Sequence, residues 1–149
     1  MQFGFGAGPD TSWMREELTN IGVEELKTPE EVDRAMDEYK VGTMLMAVNS
    51  VCGCAAGNAR PGLAIALERS DIKPDHIVTV FAGQDKDATT RAREYFSEFP
   101  PSSPAFAFFV DGKVKAMIPR HRIEGRTREE VAQDLQAVFD AFINKNEAE

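Results

Sequence analysis

The chain has 149 residues, enough for one domain with a full hydrophobic core, and we expect a single domain over residues 1–149. Its hydrophobic content of 42 % is typical of a globular protein, and its longest apolar run is too short to cross a membrane. The net charge is −8 and the basic residues are scattered along the chain, which argues against nucleic acid as a partner.

The N-terminal part of the sequence predicts an arm followed by helices. Residues 1–12 are rich in glycine and are predicted to be a flexible arm. They contain no basic stretch and too little apolar length for a signal peptide, so we expect a cytoplasmic protein with no membrane partner. Residues 13–40 are predicted to be a helical extension. Thr28 as N-cap, Pro29 as the first helical residue and Glu31 as the end of a capping box predict a helix reaching about Lys40.

The remaining residues predict a core in the order β-α-β-α-β-β-α. The first two strands are joined by a helix and are therefore expected to be parallel, with a right-handed crossover. Asp111-Gly112 is a two-residue turn typical of a hairpin between the last two strands. Pro61 is expected to kink the first core helix. The predicted core elements are strand 41–48, helix 55–69, strand 77–81, helix 88–99, strand 105–110, strand 113–118 and a helix that begins with the capping box at Thr127.

The only two cysteines lie at the end of the first core strand and are separated by one glycine. Cys52 is expected at the N-terminus of the following helix, where unpaired N–H groups and the helix dipole favour an anion and lower the pKa of a thiol. A thiolate is the nucleophile in disulfide exchange, so Cys52 is predicted to attack and Cys54 to resolve the product. A cysteine pair at this point of a mixed four-stranded sheet flanked by helices predicts an α/β, thioredoxin-like fold.

The spacing and a later proline extend this hypothesis. A disulfide between Cys52 and Cys54 closes a very small ring, and Gly53 gives its backbone more freedom. Such a strained disulfide favours isomerase activity or the reduction of mixed disulfides over general reductase activity. Pro104 opens the predicted central strand, where a cis Ser103-Pro104 bond is plausible. In thioredoxin-like proteins, which this layout resembles, the loop before this strand packs against the redox turn and pairs with an extended substrate. The resemblance implies that Gly53, Ser103 and Pro104 are candidate substrate-binding residues, although the local prolines can also simply stiffen a turn.

Alternative functions use the same cysteines. Four thiolates from two chains are able to bind an iron–sulfur cluster or another soft metal, which would make the protein a dimeric binding module. A metal site within one chain lacks ligands, because His76 and His121 are not suitably spaced from the cysteines. A redox sensor without enzymatic activity is a third possibility. The oxidoreductase hypothesis needs no cofactor and no metal.

Four segments together resemble the bacilliredoxin family, and the likeness covers nearly the whole chain. The segments are Met14-x-x-Glu17-Leu-Thr-x-x-Gly22, Glu25-Leu-x-Thr28-Pro-Glu-x-Val32-Asp, Asn49-Ser-Val-Cys52-Gly-Cys54 and Arg120-His-x-Ile-Glu-Gly125.

The resemblance implies a thioredoxin-like bacterial protein of the cytosol. It implies that Cys52 attacks and Cys54 resolves mixed disulfides between proteins and a small thiol, with bacillithiol as the suspected thiol and weak disulfide isomerase activity in some members. A recycling reductase would be a partner, and the chain would be a monomer or a weak homodimer.

A cation near the cysteine turn would help to hold the carboxylates of bacillithiol. Arg60 is the candidate nearest in sequence, and the alternative is that it is a solvated surface arginine. Arg120-His121-Arg122 is a small basic cluster after the last strand, in which His121 is a candidate for tuning the pH response or for a loop hydrogen bond.

Overall fold

The structure is a computed structural model that describes the backbone of residues 10–148 and the side chains of residues 10–143. Most of the predicted flexible arm, residues 1–9, lies outside the described residues. Within the described part, no helix is both long and apolar enough to cross a membrane. The elements are α1 (Ser12–Thr19), β1 (Glu24–Glu25), α2 (Pro29–Glu38), β2 (Thr43–Asn49), a π-helical turn (Ala55–Ala59), α3 (Arg60–Arg69), β3 (His76–Phe81), α4 (Lys86–Glu94), β4 (Ala105–Val110), β5 (Lys113–Ile118), a 3-10 turn (Arg120–Arg122) and α5 (Arg128–Ala148).

The sheet is mixed and has the order β1-β3-β2-β4-β5. β3 is parallel to both β1 and β2, whereas β4 is antiparallel to β2 and β5 is antiparallel to β4. Every residue of β2 is buried, as its uninterrupted apolar sequence requires of a strand covered on both faces. The predicted parallel pairing of β2 with β3 and the predicted hairpin of β4 and β5 are confirmed.

The prediction of four strands was wrong, because β1 adds a fifth at the edge of the sheet. β1 contains only Glu24 and Glu25, which pair with Val78 and Thr79. Two consecutive glutamates have neither the length nor the alternation that predicts a strand. Their carboxylates are instead paired with arginines from α1 and α2, which lets charged residues occupy an edge position.

Several predicted boundaries also moved: β2 is Thr43–Asn49, β3 begins at His76, and α4 is Lys86–Glu94. β2 begins at Thr43, because Val41 is 79 % exposed and Gly42 adopts a positive φ of 99° that interrupts extended backbone. α4 ends at Glu94 and not at residue 99, since the chain there makes i to i+3 turns on its way to Pro100. Pro100 disfavours helical backbone only at Phe99, so it excludes the predicted last residue, while the i to i+3 turns already end the helix at Glu94.

Helices cover both faces of the sheet. α1, α3 and α5 enclose one apolar core, and α2 and α4 enclose the other. α3 and α5 approach closely at Gly62, where an added Cβ would lie 2.7 Å from Cγ1 of Val131. The expected irregularity near Pro61 takes the form of the π-helical turn directly before α3. Proline lacks the N–H that a regular helix needs at this point, and a wider turn accommodates that loss.

Candidate functional site

The cysteine turn joins the buried end of β2 to the first helical residues. The carbonyl of Cys52 accepts hydrogen bonds from the N–H groups of Ala55 at 3.1 Å and Ala56 at 3.2 Å, and helical backbone begins at Gly53. Cys52 therefore lies at the N-terminus of the helix, as predicted. Both thiols are free and half-buried, and their sulfur atoms are 2.9 Å apart, close enough for one thiol to donate a hydrogen bond to the other.

The surroundings of Cys52 favour its thiolate. Burial alone would raise the pKa of Cys52, but hydrogen bonds to its sulfur from the Cys54 thiol and the Ser50 hydroxyl outweigh that effect. The backbone N–H groups of Ala55 and Cys54 contribute in the same direction, so the pKa of Cys52 is lowered overall. Cys52 is consequently the better nucleophile of the pair at neutral pH.

The surroundings of Cys54 have the opposite effect. Burial raises the pKa of Cys54, and the hydrogen bond to Cys52 together with the negative charge of Cys52 raises it further. The charge of Arg120 acts against this shift, while Glu124 adds to it. Cys54 therefore keeps its proton while Cys52 is ionised, which gives the two thiols different chemical roles.

The loop before β4 lies beside this turn. Ala105, the first residue of β4, pairs with Val48, the penultimate residue of β2. Ser103 and Pro104 therefore lie beside the end of β2, where the cysteine turn begins. The Ser103-Pro104 bond is cis, as expected, and Pro104 is buried. The carbonyl of Ser103 accepts a hydrogen bond from Nη1 of Arg120 at 3.2 Å, which joins this loop to the 3-10 turn.

Gly53 is exposed at the surface of the turn. Its φ is not positive, and an added Cβ would meet no atom within 4 Å. With both thiols free, the backbone conformation therefore does not demand glycine here. The prediction that Gly53 helps the small disulfide ring to close applies to the oxidised protein, and it stays a prediction because both thiols are free in this structure.

Arg60 does not occupy the position predicted for a substrate-binding cation. It is only 3 % exposed, and it lies beneath the cysteine turn. Its Nε donates to Glu17 at 2.6 Å, and its Nη1 donates to Oδ1 of Asn49 and to the carbonyl of Ser50, each at 2.8 Å. Its Nη2 is buried and has no hydrogen-bond partner among the described residues. Because the whole guanidinium is sealed from solvent, it is not available to the carboxylates of a substrate. It holds the end of β2 in place instead.

The exposed cation near the thiols is Arg120. The negative charges of Cys54 and Cys52 are the main reason that the pKa of Arg120 is raised, which reflects how near its guanidinium lies to both thiols. Arg93, on α4, lies against the same loop and points Nη2 toward the carbonyl of Ser102 at 3.4 Å. In the sequence, Arg120 stands out in the Arg120-His121-Arg122 cluster and in the segment Arg120-His-x-Ile-Glu-Gly125, whereas nothing indicates Arg93.

Within residues 10–143, no three side chains of His, Cys, Asp or Glu come close enough together to hold a metal ion.

Asn58, in the π-helical turn, donates to the carbonyl of Ile123 at 2.9 Å. This hydrogen bond fixes the 3-10 turn, and with it Arg120, against the helix that carries the thiols.

Comparison with known proteins identifies close relatives. Residues 11–143 match the model of a family described as disulphide isomerase. A bacilliredoxin of Salinibacter ruber is 54 % identical over 134 residues, which cover 90 % of this chain and 79 % of the relative. A bacilliredoxin of Symbiobacterium thermophilum is 56 % identical over 89 % of this chain and 93 % of its own, and one of Geobacillus kaustophilus is 57 % identical over 86 % of each.

Solved structures show the fold. Fasciola hepatica thioredoxin superposes with a TM-score of 0.53 over 78 % of this chain and 99 % of its own, at 18 % sequence identity. Thioredoxin O2 from Arabidopsis thaliana has a TM-score of 0.54 over 80 % of this chain and 96 % of its own, at 16 % identity. The predicted thioredoxin-like fold is confirmed, with the additional edge strand β1.

Proposed function

The chain belongs to the bacilliredoxin family, and from that premise we propose that it is a thiol–disulfide oxidoreductase that reduces mixed disulfides between proteins and a small thiol. We take bacillithiol as the small thiol. The observation that carries the proposal is the pair of free thiols 2.9 Å apart whose pKa values are shifted in opposite directions.

In the first step, the Cys52 thiolate attacks the small-thiol sulfur of the mixed disulfide. A new disulfide forms between Cys52 and the small thiol, the original S–S bond breaks, and the client leaves as a thiolate that takes a proton from water. The lowered pKa of Cys52 supplies the nucleophile, because more of it is ionised at neutral pH than of an ordinary cysteine.

In the second step, Cys54 attacks the sulfur of Cys52. The Cys52–Cys54 disulfide forms, and the small thiol leaves with the proton that Cys54 gives up. The pair loses two electrons and the mixed disulfide gains them, so a reductase or a second small thiol must restore the dithiol. The raised pKa of Cys54 suits this order, since a protonated Cys54 does not compete with Cys52 for the substrate.

The test compares two single substitutions on a carrier protein whose one cysteine is in mixed disulfide with bacillithiol. Cys52→Ser should abolish release of the carrier thiol, and Cys54→Ser should release it once and accumulate a Cys52–bacillithiol adduct seen by intact mass. Full activity of Cys52→Ser would contradict the assigned roles. An iron-type visible absorbance in protein purified without air, with no thiol exchange, would favour the dimeric metal-binding module instead.

A further inference from the structure

An open cationic cleft lies against the loop before β4, at the end of the sheet where the cysteine turn begins. It has a volume of about 470 Å³ and is lined by Arg93, Pro101, Ser102, Ser103, Arg120, His121 and Glu124. We call it the Arg93–Arg120 cleft. It includes Ser103 beside cis-Pro104, and Arg120 on its wall is a cation on which the charges of both thiols act. A ligand held by Arg120 in this cleft is therefore on the same side of the fold as the thiols.

Arg93 is unusual among the arginines because its charge is partly buried without a carboxylate. None of the described carboxylates forms an ion pair with it, whereas Arg15, Arg60 and Arg91 each pair with at least one. Its Nε is buried and has no hydrogen-bond partner among the described residues, and its one contact is the long hydrogen bond to Ser102. The buried Nε itself is closed to solvent, but the guanidinium as a whole carries a charge that no described carboxylate compensates, so an anion that enters the cleft is suited to compensate it.

Arg120 is held in place mainly through its backbone and the Ser103 carbonyl, which leaves its charge largely uncompensated. Its N–H donates to Oγ of Ser102 at 2.7 Å, and its Nη1 donates to Ser103. Glu124 is the only described carboxylate paired with it, at 3.4 Å and at a mostly exposed position where ion pairs are weak. The cleft is thus locally cationic in a protein whose net charge is −8.

We propose that the Arg93–Arg120 cleft binds the carboxylates of the small thiol in the mixed disulfide, and so selects anionic small thiols as the group removed from client proteins. This proposal deepens the proposed function and rests on it. Two guanidinium groups fit a ligand with two carboxylates, because each has five N–H donors and its described hydrogen bonds leave some of them available. Binding there directs Cys52 to the small-thiol sulfur, so that the small thiol moves onto Cys52 and the client sulfur leaves.

A kinetic experiment tests the selection. A carrier protein with one cysteine is converted to mixed disulfides with mercaptosuccinate, which has two carboxylates, and with 1-thioglycerol, which has none. The wild-type protein should reduce the mercaptosuccinate form with a kcat/KM higher by roughly tenfold. Arg93→Gln and Arg120→Gln should each remove most of that preference, measured as the ratio of the two rates within each variant, so that any general change in the exchange rate cancels. Arg69→Gln is the matched control, since Arg69 lies at the far end of α3 from the thiols.

A binding experiment separates the cleft from the chemistry. S-methyl mercaptosuccinate cannot exchange disulfides, and its binding to the Cys52→Ser/Cys54→Ser double variant can be followed by NMR shifts of the Arg93 and Arg120 side chains. Glu124→Gln should tighten this binding because it removes the only described carboxylate lining the cleft, and Arg93→Gln should weaken it.

The possible outcomes distinguish failure of the cleft assignment from failure of the proposed function. Equal rates on both carriers, or a preference unchanged in Arg93→Gln and Arg120→Gln, would overturn the cleft assignment and leave the proposed function standing. A preference for acidic peptide sequence around the carrier cysteine, independent of the small thiol, would assign the cleft to the client and also overturn it. If neither carrier gave a Cys52-dependent reaction, the proposed function itself would fail.

Discussion

Cys52 and Cys54 are two residues apart, yet the groups around them shift their pKa values in opposite directions. The difference comes from local donors: Ser50 and two backbone N–H groups reach the sulfur of Cys52, whereas the charge of Cys52 itself acts on Cys54. The sequence predicted the position of Cys52 at a helix N-terminus. It did not indicate Ser50, whose role depends on the conformation of the bend.

We expect Ser50→Ala to raise the apparent pKa of Cys52, because the hydroxyl that hydrogen-bonds the thiolate is lost. The thiolate fraction at pH 7 should fall, so alkylation by iodoacetamide at that pH should slow while the rate at high pH is unchanged. Intact mass across a pH series measures both. Ser97→Ala, at an exposed position in the turn after α4, is the control and should leave the profile as in the wild type.

Arg60 shows what a single sequence cannot reveal about a charged residue. Its ion-pair partner Glu17 is 43 positions away, and the groups it holds in β2 and the following bend are 10 and 11 positions away. Nothing local distinguishes such an arginine from a solvated one, since the burial arises only when α1 packs beside the cysteine turn. The expectation of a surface cation was wrong for this reason.

Replacing Arg60 with methionine should destabilise the protein. The carbonyl of Ser50 and the amide oxygen of Asn49 would lose a charged donor in a buried place, at a cost of about 2–3 kcal/mol. Urea unfolding measures the change. Arg69→Met, at the exposed end of α3, should change stability by no more than about 0.5 kcal/mol. An equally small effect of Arg60→Met would contradict the buried network.

At the scale of elements, local signals with a defined geometry were reliable. Oγ1 of Thr28 accepts from the N–H of Glu31 at 3.1 Å, and Thr127 makes the same bond with Glu130, so both N-caps are confirmed. The Glu130 carboxylate also accepts from the N–H of Thr127, which completes that capping box. The Glu31 carboxylate accepts from the N–H of Lys27 instead of Thr28. Each N-cap bond joins residues only three apart, which the sequence shows directly. β1 was missed because it depends on pairing with β3, more than fifty residues later in the chain.

The close approach of α3 and α5 at Gly62 makes a further prediction. Gly62→Ala should destabilise the protein by about 1–2 kcal/mol. The steric overlap of the new methyl group with Val131 costs more free energy than the higher helix propensity of alanine contributes. Thermal unfolding measures this, and Gly57→Ala is the matched control, since an added Cβ there meets no atom within 4 Å.

A double-mutant cycle identifies the cause. Combined with Val131→Ala, the Gly62→Ala change should cost less than it does alone, because part of the overlapping side chain has been removed. If the two effects simply added, the contact between the helices would not be the reason for the glycine.

At the scale of the whole molecule, the strand pairings could be predicted better than the site. The helical connection predicted the parallel pair β2 and β3, and Asp111-Gly112 predicted the hairpin of β4 and β5. The strand predicted to be central, β4, is an interior strand, and β2 lies in the middle of the sheet. The Arg93–Arg120 cleft unites residues from α4, the loop before β4 and the 3-10 turn. No spacing in the sequence predicts that three such segments meet, so only the folded structure reveals the cationic surface beside the thiols.

The carboxylate of Asp134 connects α5 to the 3-10 turn that carries Arg120, and this connection predicts a pH dependence of stability. Burial alone would raise the pKa of Asp134, but hydrogen bonds from Arg126 at 3.0 Å and Arg122 at 3.1 Å lower it overall. A carboxylate whose folded pKa is lowered stabilises the protein above the unfolded value of about 4, and this contribution is lost as the pH falls through the folded pKa.

Asp134→Asn should therefore lower the free energy of unfolding at pH 7 and make its decrease below about pH 4 less steep. Urea unfolding at several pH values gives both quantities. Asp140→Asn, on an exposed face of the same helix, should leave the shape of the curve unchanged. A decrease as steep in Asp134→Asn as in the wild type would show that other carboxylates control it.

Trp13 is the only tryptophan of the chain, and the Cζ of Arg60 lies 5.5 Å from the centroid of its ring. The same guanidinium hydrogen-bonds the backbone of Ser50, two residues before Cys52, and the ring itself is 47 % exposed. The indole therefore contacts the side chain that holds the bend before the two thiols. The protein carries its own optical reporter: tryptophan emission should differ between the dithiol and the disulfide, so that turnover can be followed in a stopped-flow fluorimeter without any attached dye.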